Sequence, residues 1–124
     1  MTSNVDVIDN FLDRQDFLRI KQVMMSDRFP WYTDPNKGVA WNESKDGMYF
    51  IHNFLYQRSQ SDFLVLLEPL LNKLPYDRSG LGSVKGNMYP SMRRKIYHDW
   101  HTDHRLSHKG CVFSINSNNG FTCF

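Results

Sequence analysis

The chain has 124 residues, a formal net charge of +2, nine Phe, six Tyr and three Trp. That length allows at most one domain, with enough bulky apolar material for a useful core. A charge this small does not suggest a nucleic-acid or membrane surface.

The first residues carry neither a basic n-region nor an apolar h-region, so no signal peptide is expected. Val5-Asp6-Val7-Ile8 reads as a short strand entering the fold. Asp13 then suggests a helix start, with Asp16 at the third helical position. Phe17, Ile20 and Met24 follow at helical spacing and predict an inward stripe. Phe29-Pro30-Trp31 ends that helix. Asp34-Pro35-Asn36-Lys37-Gly38 has the composition of a mobile loop. Core packing is expected for Trp31 and Trp41, and Met48 to His52 has strand character.

A second helix is expected from Ser61-Asp62, carrying Phe63, Leu66, Leu67, Leu70 and Leu74. Pro69 should bend or interrupt it, because proline removes a backbone donor. The longest apolar run, Phe63 to Leu67, is far too short to span a bilayer. A cytoplasmic chain is expected. After Pro75 the pattern changes. Gly80, Gly82 and Gly86 break the helical periodicity. Val84 to Tyr89, Ile96 to Asp103, Cys111 to Ile115 and Gly120 to Phe124 read as successive strands. Arg93-Arg94-Lys95 reads as a solvated turn between two of them. Cys111 and Cys123 lack disulfide and metal spacing, and both are expected as reduced core residues. Two helices on antiparallel strands give an α+β or mainly β domain. The last strand has no turn or polar tail, which predicts a single domain, 1–124, that is C-terminally incomplete.

The segment from Ile96 to His104 carries the most chemistry. Residues i and i+2 of a strand share a face. His101 and Asp103 would then present an imidazole nitrogen and a carboxylate together. These are two of the three ligands of a 2-His-1-carboxylate iron(II) site. An ordinary hydrogen-bonded pair is the competing reading of these two residues alone. His52, His98, His104 and His108 are not expected to complete the set, because their spacing or setting points them elsewhere. Trp100 alternates away from His101 and is expected in packing, and Asn87 is expected to bridge strands.

Several stretches together resemble one family. Gly86-Asn87-Met88-Tyr89-Pro90, His101-Thr102-Asp103, Cys111-Val112-Phe113-Ser114-Ile115-Asn116 and Asn119-Gly120-Phe121-Thr122 look like the iron(II)- and 2-oxoglutarate-dependent dioxygenases. The nearest branch is prolyl 4-hydroxylase-like, including small bacteriophage-borne versions. Val7 to Leu12 before the first helix and Phe29 to Tyr32 after it are similar too. The resemblance implies the N-terminal part of a double-stranded β-helix, a jelly roll with flanking helices. It implies His101 and Asp103 as metal ligands, Tyr89 as a cosubstrate contact, and Fe(II), 2-oxoglutarate and O2 as reactants, with ascorbate as a further reductant. Ser114 stands where some prolyl hydroxylases carry another cosubstrate-binding tyrosine, a departure from the pattern. The family's third ligand, a histidine, and its following arginine or lysine have no counterpart before Phe124.

The implied reaction hydroxylates a C–H bond, such as one on peptidyl proline, while 2-oxoglutarate becomes succinate and CO2. The substrate is expected to be a protein, peptide or small molecule. With two ligands of three, the chain alone is not expected to be a competent oxygenase. Two other readings stay open: a non-catalytic jelly-roll binding module, and another cupin-like metal-binding protein.

Overall fold

A computed structural model describes residues 5–33 and 49–123. The loop-like run 34–38, Trp41, Met48 and Phe124 lie outside the described residues.

Helix α1 covers Arg14–Met24. Asp13 occupies the N-cap position but makes no side-chain cap bond. Its carbonyl accepts the Phe17 N–H at 2.9 Å and so begins the helical ladder. Ile20 and Met24 are buried, as the helical spacing predicts. The helix ends at Met24, before the expected Phe29-Pro30-Trp31 stop. The Met25 N–H bonds the Lys21 carbonyl, and the Ser26 hydroxyl bonds the Val23 carbonyl at 2.7 Å. A serine that offers the last turn its own donor competes with helix continuation.

Four strands follow: β1 Tyr32–Thr33, β2 Phe50–Tyr56, β3 Ser59–Gln60 and β4 Val84–Met88. All pairings are antiparallel. Ile51 faces both Tyr32 of β1 and Asn87 of β4, so these two strands flank β2 on opposite edges. Leu55 faces both Gln60 of β3 and Val84 of β4, which puts β3 on the β1 side. Strand β2 is therefore central. The β2–β3 hairpin turns at Gln57 and Arg58, with φ of 48° and 67°. Tight two-residue hairpins demand positive φ, a conformation that costs ordinary residues about 1–2 kcal/mol each.

The expected second helix is two pieces. Asp62–Leu67 forms a 3-10 helix, and α2 covers Glu68–Lys73. Pro69 lies in the first turn of α2, where its missing N–H deprives no carbonyl of a partner. Proline thus marks a change of helix type rather than a kink inside one helix. A short 3-10 turn, Arg78–Gly80, precedes β4.

The core joins α1, β2 and the 3-10/α2 pair through Leu12, Ile20, Met24, Phe29, Phe54, Leu64, Leu66, Leu67, Leu70 and Leu71. Phe54 is 1% exposed. Gly86 of β4 lets the strand close on this core. A Cβ there would meet Met24 Cε and Phe54 Cε2 at 3.3 Å and Trp31 Cη2 at 3.4 Å. The result is a small α+β fold with an open antiparallel sheet.

Several expectations are corrected. Val5 to Ile8 is exposed and forms no strand. Neither do Ile96–Asp103, Cys111–Ile115 or the described residues 120–123. A strand needs a neighbour to receive its backbone ladder, and no described segment pairs with these. Tyr97, Trp100, Leu106, Val112 and Phe121 are exposed, with Trp100 at 80% rather than packed. Both cysteines are exposed rather than in the core. Phe113 and Ile115 alone turn inward, Phe113 meeting Phe17 of α1 edge-on at 6.2 Å. Arg93-Arg94-Lys95 is exposed, as expected. Among the described residues no helix is long and apolar enough to cross a membrane.

Candidate metal-binding site

His101 and Asp103 come together without a strand to align them. The His101 Nδ1–H donates to the Asp99 carbonyl oxygen at 2.8 Å. That bond assigns the neutral ring its tautomer: the proton sits on Nδ1 and the lone pair on Nε2. Nε2 stands 3.5 Å from Asp103 Oδ1. In the neutral ring, two electron-pair donors therefore face one another. Such an arrangement leaves room for a cation between them.

The spacing can be tested against a metal. Two donors at right angles and about 2.1 Å from one ion stand about 3.0 Å apart. The observed 3.5 Å is a few tenths of an ångström wider. Both side chains are well exposed, 66% and 75%, so small rotations can close the difference. An imidazole nitrogen and a carboxylate oxygen suit Fe(II) and its divalent neighbours. Among the described residues no three His, Cys, Asp or Glu side chains gather into a metal-holding group. The pair fits as part of a coordination shell, and no further protein donor is found with it among the described residues.

Tyr89, just past β4, is half-exposed. Its ring stacks on Tyr49 at 5.1 Å and meets His98 edge-on at 5.7 Å. Tyr49 and His98 are themselves in contact at 5.9 Å. This three-ring cluster joins the ligand-bearing segment to the sheet: Tyr49 precedes β2, Tyr89 follows β4, and His98 lies three residues before His101. Ser114 is exposed between the two inward residues Phe113 and Ile115. His104 contacts Ser83 Oγ at 3.3 Å and stacks edge-on with His108 at 4.9 Å. The His108 Nδ1–H donates to the Leu106 carbonyl at 3.0 Å. Asn87 is exposed on β4, opposite Ile51 of β2.

A second polar constellation lies inside the fold. His52, only 4% exposed, shares a face of β2 with Phe54. Rings of Phe29, Phe54 and Phe63 surround it at centroid distances of 4.7, 4.6 and 5.6 Å. Its Nδ1–H donates to the Pro30 carbonyl at 2.8 Å, and Nε2 accepts the Ser61 hydroxyl at 2.7 Å. Ser61 Oγ in turn accepts the Phe63 N–H at 3.1 Å and caps the 3-10 helix. The sequence held two signals for this relay. His52 and Phe54 alternate to one face, and Ser61 precedes a helix start. What it did not give was the distance between them.

No protein-family model, curated protein or solved structure matches the chain.

Proposed function

We propose that this chain carries two metal ligands, His101 and Asp103, of a non-haem iron(II)- and 2-oxoglutarate-dependent oxygenase. One observation supports the reading above the others. The Asp99 carbonyl holds the His101 proton on Nδ1, which leaves Nε2 open toward Asp103 Oδ1 at 3.5 Å. A histidine ligand is commonly oriented in this way by an acceptor on its far nitrogen. Asp103 would offset part of a bound ion's charge, and His101 would supply a nitrogen donor. Bound iron would supply the redox chemistry that couples conversion of 2-oxoglutarate to succinate with C–H hydroxylation.

Around that pair the chain's residues have separate tasks. Tyr89, braced by Tyr49 and His98, is the proposed contact for 2-oxoglutarate. Ser114 is the weaker candidate, because it is exposed between Phe113 and Ile115 and takes no part in the ring cluster. The jelly roll belongs to this same proposal, and the open antiparallel sheet is compatible with it. Peptidyl proline is the leading substrate, with small molecules as the other class.

Anaerobic Fe(II) titration of the chain, followed by assay of succinate on admitting O2 and 2-oxoglutarate, tests the reading. Weak Fe(II) binding that His101→Ala and Asp103→Ala each remove is the expected outcome, with little turnover from two ligands. Fe(II) binding indifferent to both substitutions contradicts it.

A further inference from the structure

We infer that Ser61 is a nucleophilic serine activated by His52, able to accept an acyl group from small activated esters. The site shares no residue with His101 and Asp103, and it stands or falls apart from them.

The geometry supplies three parts of an activated nucleophile. The hydroxyl lies 2.7 Å from His52 Nε2, within the range for proton transfer. The base is oriented by a third group, the Pro30 carbonyl, which takes the Nδ1–H at 2.8 Å. That bond commits Nε2 to accepting, so the basic lone pair is the one aimed at the serine. The Phe63 N–H fixes the Ser61 rotamer from the other side. Aromatic packing on His52 holds the ring in place.

The pair also opens to a space. His52 and Ser61 line an open recess of about 550 Å³ together with Tyr32, Thr33, Ile51 and Asn53. That volume suits a small acyl ester. Thr33 also lines the recess and pairs with Phe50, on the His52 face of β2, so its hydroxyl is the donor assigned to the carbonyl oxygen. The orienting group is a neutral carbonyl, not a carboxylate. It stabilises an imidazolium less, which limits the substrate to esters with good leaving groups.

The reaction balances on these groups. The Ser61 oxygen bonds to the acyl carbon as its proton passes to His52 Nε2. The ester C–O bond breaks, and the departing alkoxide takes that proton to leave as the alcohol. Water then attacks the acyl carbon and gives a proton to His52. The bond to Ser61 breaks, the serine oxygen recovers the proton, and the carboxylic acid leaves.

The test is to treat the whole chain with a small alkyl fluorophosphonate and map adducts by peptide mass spectrometry. The expected result is one adduct on Ser61, formed at least about 100-fold faster than on exposed Ser79, the scale of general-base assistance. Ser61→Asn keeps a capping side chain and a donor for His52, so it tests the chemistry without removing the cap. It should fold, by circular dichroism, and lose both the adduct and the hydrolysis of p-nitrophenyl acetate. A Ser61 that reacts no faster than Ser79, or ester hydrolysis unchanged in Ser61→Asn, overturns the proposal and leaves the pair as a helix cap.

Discussion

Residues up to β4 and residues after it are built on opposite terms. In the first region, β2 is paired on both edges, α1 and α2 share one apolar core, and even the buried His52 has both ring nitrogens engaged. In the second, among the described residues only Phe113 and Ile115 join that core, and the chain from Ser91 to Val112 is exposed throughout. The candidate metal ligands belong to the second region. Their geometry rests on local bonds, such as His101 to the Asp99 carbonyl two residues away, instead of on packing. Stability and proposed iron chemistry are thus carried by different stretches of chain.

The sharpest way to break this comparison is to truncate one large aromatic in each region. Phe54→Ala should cost about 3–5 kcal/mol, because it opens a cavity in a filled core. Trp100→Ala should change stability by less than about 0.5 kcal/mol, as expected at an exposed site. Urea unfolding of both variants checks the pair. Equal losses would mean that the later region is packed after all. Gly86→Ala probes the last strand before the boundary. A methyl pressed against Phe54 and Met24 should cost about 1–3 kcal/mol, in the range of overpacking. A neutral result would mean that β4 sits more loosely on the core than its distances imply.

The hairpin offers a change in the opposite direction. Replacing Gln57-Arg58 with Asn-Gly fits the positive φ at both positions, and should stabilise by about 1 kcal/mol. An unchanged denaturation midpoint would count against that turn. The smallest effect is on pH. A bidentate hydrogen bond from Arg78 holds the Glu68 carboxyl below the usual range, and the Ser79 N–H does the same for Asp77. A lowered folded pKa contributes stability above the unfolded value, and that contribution is lost as pH falls through the folded one. Unfolding midpoints should therefore fall slightly below about pH 4, the ordinary carboxylate range, and less so in Glu68→Gln. A change in Glu68→Gln as large as in the parent would mean that Glu68 does not carry its share and that Asp77 or another group titrates instead.

The same division governs what was legible in the sequence. Ile20 and Met24, the Leu66–Leu70 stripe, and Val84–Met88 were readable, because their periodicities match elements that pack. The Asp62 helix start was readable from Ser61, though a change of helix type at Pro69 was not. Ile96–Asp103 alternates like a strand, yet forms none among the described residues. Periodicity records a preference for a pleated surface, and ladder bonds come only with a partner. Cys111 and Cys123 were misplaced because the usual burial of free cysteine was applied to a stretch that does not pack. The His101–Asp103 pairing survives the loss of its strand, since the Asp99 carbonyl orients the ring locally. The His52–Ser61 contact joins β2 to a helix start nine residues on, across a hairpin whose geometry alone sets the distance.

The central claim is that His101 and Asp103 jointly bind a divalent cation. Its most direct test is Mn(II)-induced broadening of backbone amide NMR signals in the intact chain. Broadening at low Mn(II) confined to residues 99–104, and abolished by His101→Ala, is the predicted result. Broadening that is spread evenly over the exposed acidic residues, or unchanged in His101→Ala, would contradict it.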